Sequence, residues 1–559
     1  MKYKIALLFL FAVALFIVIY LIFIMENKAD LLLINGKIYT LDNSQPIAEA
    51  LAIKEGYIIA VGNSSELKDR YNAEKIIDLK GSVVIPGLID AHAHMFGFGQ
   101  MLNSLMLAGI TSANEIAEKV KEKSKTIPAG EWIYGRGWDQ TLWSDKKFPT
   151  KNLLDKAAPS NPVILGRIDG HAIWVNSKTL EMAGITSATI DPPGGKIIRD
   201  NSGNPTGVFI DKATELVEKI VPPPADAEVE HCILLAADEC IKAGLTEVHD
   251  MGLNSQTIRV YKKLADEQKL SIRIYGAVDA PSQTWNEFSE RGPLLNYGNG
   301  MLTIRAVKMY ADGALGSRGA ALVENYSDDP GNRGLTLLDD STMEAVTRQA
   351  IKKNFQVCTH AIGDRANHVV LNMYEKILGT ENKKDYRFRI EHAQVLLPED
   401  ISRFKKLNVL PSMQPIHSTS DMDWAEARLG TDRVKGAYAW KSLINSGSII
   451  PAGSDFPNDI MQPLWGFYAA VTRMDQDGKP EGGWHTEECM SREEALKSYT
   501  TWAAYAAFKE KEKGTIEAGK YADLTILSQD IMTIPANKIL NTEIIMTLIG
   551  GKIVYELSF

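Results

Sequence analysis

Eight short apolar, β-branched runs, separated by helix-like stretches, constrain this chain more than any other feature of its sequence. They are Val83 to Asp90, Leu245 to His249, Ile272 to Val278, Leu302 to Met309, Phe355 to His360, Arg387 to His392, Val409 to Met413 and Ile449 to Ser454. Runs that are apolar on both faces belong to strands covered on both sides, and the helix-like stretches between them supply crossovers, so the pattern predicts a parallel sheet. Eight such units predict an α/β fold of the (β/α)8 TIM barrel type, whose active site is built at the C-terminal ends of the strands. A sheet of another shape stays open.

The two chain ends have a different texture. Leu31 to Asn35, Ala50 to Lys54 and Ile58 to Gly62 are short strand-like runs with Asn-Gly and Glu-Gly turns, and Leu524 to Leu527, Ile544 to Ile549 and Lys552 to Tyr555 repeat the pattern around Gly550-Gly551. Neither piece can bury a core by itself, so residues 29–85 and 514–559 are expected to combine into one composite small β-sandwich. The barrel is then expected over 86–513, with a long insertion after strand 1, an inserted subdomain at roughly 95–240 that is too long for an ordinary barrel loop.

Residues 1–28 are expected to form a signal anchor. Ile5 to Met25 is an unbroken apolar run behind Lys2 and Lys4, long enough for an N-terminal transmembrane helix. The leading lysines predict a single-pass protein of the cell membrane with its catalytic body extracytoplasmic. Cleavage of a signal peptide, leaving a secreted protein, is the alternative.

With 559 residues, 45% hydrophobic and 23% charged, the rest of the chain has an ordinary globular composition. A net charge of −9 gives no reason to expect nucleic acid. The expected partner is a small-molecule substrate, and a homodimer stays open. Cys232, Cys240, Cys358 and Cys489 are too sparse for a disulfide framework.

Chemistry enters at the strand ends. The first run leads into Asp90-Ala-His92-Ala-His94; residues two apart share a face of a strand, so both imidazoles could reach one metal ion. Two histidines on a strand can also be structural. However, His360 ends the fifth run, His392 ends the sixth and Asp455 follows the eighth, so that four histidines and an aspartate converge on one rim. His249, His417 and His485 lack comparable motif support.

Taken together, these motifs resemble the amidohydrolase superfamily, specifically its family 3 branch of YtcJ-like metal-dependent hydrolases, which includes N-substituted formamide deformylases. The resemblance is carried by Asp-Ala-His-Ala-His, Asp169-Gly-His171-Ala-Ile-Trp-Val-Asn176, Val307-Lys308-Met-Tyr-Ala-Asp312-Gly-Ala-Leu-Gly-Ser-Arg318, His360-Ala-Ile-Gly-Asp, Glu391-His392-Ala-Gln394 and Gly453-Ser-Asp455-Phe-Pro457. It implies that His92, His94, His360 and His392 are metal ligands and that Asp455 both binds metal and acts as catalytic base. It also implies a carboxylated Lys308 bridging two metals; the plain alternative is a lysine paired with Asp312. The expected cofactor is therefore a divalent metal, zinc by the imidazole and carboxylate donors, as one or two ions.

The expected reaction is hydrolysis of a non-peptide carbon–nitrogen bond, in an amide or formamide, by water activated on the metal. His171 could orient substrate or stabilise a developing oxyanion, or be structural. Arg318, Trp138 and Asp139, with Trp143, could contact substrate, or be salt-bridged and packed locally. The rival reactions, on a cyclic amide, an aminated ring or an ester, would use the same rim. A non-catalytic, membrane-tethered binding protein is the remaining alternative, but it should have lost a ligand, and every expected position is filled.

Overall fold

The computed structural model describes residue 11 and residues 27–381 and 385–558. The expected anchor, Ile5 to Met25, lies outside the described residues except for Phe11; among the described residues no helix is long and apolar enough to cross a membrane. The chain divides into two compact units, one of residues 1–95 and 237–559, the other of residues 96–236.

In the first unit seven parallel strands form a nearly closed barrel: β1 (Leu88–Ala93), β2 (Leu245–Leu253), β3 (Arg273–Asp279), β4 (Leu302–Tyr310), β5 (Gln356–Ala361), β6 (Arg389–His392) and β7 (Leu410–Ser412). Amphipathic helices provide the crossovers. In Asp364–Leu378, for example, Val370, Leu371, Tyr374 and Ile377 are buried at helical spacing along one face.

Two of the eight expected runs differ from the strands observed. Val83 to Asp90 is not one strand: it breaks at Pro86-Gly87. Val83–Pro86 pairs antiparallel with Leu524–Leu527, outside the barrel, and Leu88 begins β1. Proline has no N–H to continue a ladder, and a Cβ at Gly87 would lie 2.4 Å from Thr246 Oγ1, so only glycine lets the chain turn past β2. Ile449 to Ser454, the expected eighth strand, contributes one parallel bridge, Met413 to Ala452. Pro451 cannot donate, and the Ser454 amide is taken by the Asp90 carboxylate instead of by a strand. The segment still closes the gap, since Ala91 N donates to Ala452 O and Gly453 N donates to Met413 O.

Two further sheets draw on the chain ends. One runs in the order Tyr57–Gly62, Ala50–Lys54, Lys28–Ile34, Asn72–Asp78; the other runs Lys552–Glu556, Ile544–Ile549, Leu524–Leu527, Val83–Pro86, Lys37–Tyr39, Ile47–Ala48. Their shared core includes Leu31, Leu33, Val84, Leu524 and Met546. The alternate residues Leu32 and Ile34 pack with Leu67, from helix Ser64–Arg70, on the opposite face. That helix explains why the strand is apolar on both sides. The Glu55-Gly56 and Gly550-Gly551 turns have positive φ at both positions, the geometry that two-residue hairpins require.

The second unit holds a six-stranded sheet in the order Gly195–Arg199, Pro205–Asp211, Ala172–Val175, Val163–Arg167, Ile133–Trp138, Leu105–Met106. Trp138, Trp143 and Trp174 meet edge to face or tilted in its core. All four cysteines are free thiols.

Candidate metal centre

Strand alternation brings the ligand-type residues of the barrel together. On β1, Ile89 and Ala91 pack outward with Ala503 and Ala504, so Asp90 and His92 face the interior and His94 follows on the same side. Lys308 comes from β4, His360 from β5 and His392 from the end of β6, while Asp455 follows the eighth segment. His392 and Asp455 have φ values of 72° and 63°, left-handed conformations that ordinary residues seldom adopt and that are found most often at functional sites.

Three of the rings are held in the same way. His92 Nδ1 lies 2.6 Å from Glu391 Oε2, His94 Nδ1 3.0 Å from Met251 O, and His392 Nδ1 2.7 Å from Gln414 Oε1. Each partner is an acceptor, so each ring donates from Nδ1 and carries its lone pair on Nε2. On that side His94 Nε2 is 3.1 Å and His92 Nε2 3.5 Å from Asp455 Oδ1. Lone pairs and a carboxylate oxygen facing one another at such distances repel unless a cation lies among them. The residues therefore fit a divalent metal.

The electrostatics agree. Burial, followed by the charge of Lys308, lowers His92 to about 4 and His360 to about 3, and burial and the neighbouring imidazoles hold His392 well below its ordinary value. These rings are neutral, the form that binds metal. Burial alone would raise Asp455, but the imidazoles of His94, His92, His392 and His417 around it hold it well below the carboxylate range; the same carboxylate raises His94 against the effect of its burial. Burial also lowers Lys308, whose Nζ sits 3.4 Å from His92 Nε2.

Lys308 makes no ion pair with a carboxylate among the described residues. Asp312 does not pair with it, because its two oxygens accept the amides of Ile362 (2.9 Å), Gly363 (2.8 Å) and Ala321 (2.8 Å). Asp312 instead ties the end of β4 to the end of β5, and its Oδ1 is 3.5 Å from His360 Nε2.

His417 had no motif to announce it. It lies on helix Pro415–Arg433, just past β7, with Nε2 3.8 Å from Asp455 Oδ2 and its ring parallel to His392 at 5.9 Å. Among the described residues His392, His417 and Asp455 form a second group that could hold an ion, beside His92, His94 and Asp455. The only signal for His417 in the sequence is its position after the seventh run. His249, which ends the second expected run, is fully buried inside the barrel and does not line the cleft.

The cleft over these groups measures about 550 Å³, and its outer wall includes Tyr310, Leu315, Leu337, Ile362, Asp421 and Trp424. Arg318 is not among its lining residues: its guanidinium is forked onto Asp328 at 2.9 and 3.1 Å.

His171, Trp138 and Asp139 belong to the other unit. Trp138 is fully buried and its indole donates to Leu165 O at 2.8 Å, so its ring is occupied by packing. Asp139 caps the turn at Thr141 and pairs with Arg167. His171 stands exposed on its sheet with Nδ1 2.9 Å from Asp211 Oδ1.

A sequence model of the amidohydrolase family matches residues 75–555. The chain belongs to that family. It is 37% identical over 532 residues to the putative amidohydrolase YtcJ of Bacillus subtilis (strain 168), covering 94% of this chain and 99% of that protein. It is 25% identical to an N-substituted formamide deformylase of Arthrobacter pascens, covering 95% and 99% of the two chains. Among solved structures it resembles an uncharacterized metal-dependent hydrolase of Pyrococcus horikoshii OT3, with a TM-score of 0.76 and 28% identity over 90% of this chain and 99% of that one. Family membership makes the protein an enzyme, an amidohydrolase.

Proposed function

We propose that this amidohydrolase cleaves the carbon–nitrogen bond of a small N-acylated amine, with N-substituted formamides the first substrates to try. One observation carries the reading: three imidazoles, each tied at Nδ1 to an acceptor, leave Nε2 free beside the ionised Asp455. His92, His94 and Asp455 would hold one divalent ion, zinc by its donors, and His360 and His392 would share in holding it or a second. Lys308, buried and 3.4 Å from His92 Nε2, with burial lowering its ammonium, is the residue that would carry a carbamate if the site holds two ions.

A bound divalent cation supplies acidified water and polarisation of the carbonyl. The protein's own groups do the rest. Asp455, acceptor-only and held ionised, takes a proton from the attacking water and passes it to the leaving nitrogen, so that an amine departs and no amide anion has to form. Asn458 Nδ2, 3.3 Å from Asp455 Oδ1, steadies the carboxylate. Tyr310, Trp424, Leu315, Leu337 and Ile362 wall the cleft with aromatic and aliphatic surface suited to an apolar substituent. Among the described residues, no arginine lines the cleft.

The test is a screen of the full-length, metal-loaded enzyme against N-alkyl and N-aryl formamides, longer N-acyl amines, hydantoin-type rings, aminated rings and esters. Turnover of formamides or acyl amines is expected, with Asp455→Asn folded but inactive. Ammonia released from an aminated ring, without amide turnover, would make the enzyme a deaminase; an active Asp455→Asn would take the proton transfer from aspartate.

We also infer that Ile5 to Met25 anchors the protein, with the catalytic body outside the cytoplasm. What supports this is the length of the apolar run and the lysines before it. N-terminal sequencing of the membrane fraction should find the initial segment intact, and a mature terminus near Glu26 would replace the anchor with a cleaved signal.

A further inference from the structure

We infer that a column of buried polar and charged side chains, running through the barrel from Lys513 to His92, positions His92 for the metal. Glu391, Arg389 and His249 are then positioning residues of the metal centre. The inference rests on the reading of His92 as a ligand.

The inside of a barrel of this kind is ordinarily filled with branched apolar side chains. Here β2 turns Glu247 and His249 inward and β6 turns Arg389 and Glu391 inward; all four, with Lys513, are buried. The Lys513 ammonium is ion-paired with Glu247. Glu247 Oε1 lies 3.4 Å from His249 Nε2, and His249 Nδ1 lies 3.0 Å from Arg389 Nη1. Arginine can only donate, so His249 accepts at Nδ1, is neutral, and keeps its proton on Nε2, which faces Glu247 Oε1 as an electrostatic contact without closing a hydrogen bond. Arg389 then grips Glu391 from two sides, Nε to Oε1 at 2.7 Å and Nη2 to Oε2 at 3.0 Å, and is itself braced by Ser412 Oγ at 2.8 Å. The column ends where Glu391 Oε2 accepts from His92 Nδ1 at 2.6 Å.

Burying these charges is costly compared with packing apolar side chains of the same volume, and pairing recovers only part of the cost. Two self-contained ion pairs would have satisfied the charges. Instead they are joined through a neutral imidazole and the far end is spent on one particular ring. The three similarly held rings differ in this respect: His94 and His392 donate to neutral oxygens, those of Met251 and Gln414, whereas His92 alone donates to a carboxylate. An anionic acceptor at Nδ1 fixes the tautomer and ring plane and makes Nε2 a stronger donor to a cation. Arg389 keeps Glu391 ionised and aimed; the rest of the column keeps Arg389 in place. Lys513 directly precedes Gly514, so the C-terminal segment is linked to the metal centre through these contacts.

The test is titration of the metal-free, full-length protein with Zn2+ against a chromophoric chelator, and with Co2+ followed by visible absorption. Glu391→Gln should weaken Zn2+ binding by roughly 10–100-fold and shift the Co2+ bands. The double variant Lys513→Met with Glu247→Gln removes the remote charges together. It should weaken Zn2+ at least about twofold, the lower end of coupling within a shared network. If Glu391→Gln fails to fold, the double variant decides alone. Variants that melt earlier without metal yet bind Zn2+ with wild-type affinity and an unchanged Co2+ spectrum would reduce the column to scaffolding. A wild-type chain that binds neither ion would overturn the metal reading and this inference with it.

Discussion

At Gly453 the chain passes so close to β1 that one added carbon would disturb the metal centre. A Cβ there would stand 2.4 Å from the backbone nitrogen of His92, 2.7 Å from Asp90 Oδ1 and 2.9 Å from His92 Cβ. None of these is the loose end of a flexible side chain, so either the eighth segment or β1 must move. Asp455, two residues on, donates its amide to His92 O at 2.8 Å and would move with it. Gly453→Ala is therefore expected to lose about 1–3 kcal/mol in urea unfolding, the usual range for overpacking, and to lose activity out of proportion to that. Gly166→Ala is the control, since its nearest atom would be 3.8 Å away. Equal behaviour of the two variants would show that the eighth segment relaxes freely.

Elements differ in how openly the sequence declares them, and the difference follows from how local their causes are. Asp-Ala-His-Ala-His is legible because the strand period alone puts both imidazoles on one side. The parallel runs are legible because burial on both faces leaves an apolar, β-branched record. The break at Pro86-Gly87 is present in the sequence, yet the apolar character continues across it from one sheet into the next, and only the approach of Thr246 reveals why glycine is needed. The eighth run carries the composition of a strand, but its ladder is replaced by a side chain, since Asp90 takes the Ser454 amide and hydroxyl. His417 joins the group because the helix after β7 starts at the rim, and no residue spacing encodes that. Arg318 and Trp138 show the reverse: both sit where a substrate contact is plausible from sequence, and both are engaged elsewhere, by Asp328 and by the core of their own sheet.

For the whole chain, the decisive fact is that residues far apart in sequence complete one sheet. Val83–Pro86 stands at the centre of a six-stranded sheet, and three of the six strands come from beyond residue 513. Removing residues 514–559 would strip Leu524, Ile526, Met546 and Leu548 from the core they share with Leu31, Leu33 and Val84. At about 1.5–3 kcal/mol for each buried aliphatic side chain, those four alone approach the 5–15 kcal/mol that stabilises a typical domain. The cut would also reach the barrel. Asp523 holds the buried guanidinium of Arg273, on β3, at 2.7 and 2.9 Å, and leaving such a charge unpaired costs about 3–5 kcal/mol more. A chain ending at Lys513 is therefore expected to be insoluble, or soluble without a cooperative thermal transition by circular dichroism. Asp523→Asn, which removes one charge and keeps every strand, should fold with a lowered melting temperature. A truncated chain that melted cooperatively near the full-length temperature would mean that the barrel stands without the sheet that both ends of the chain build.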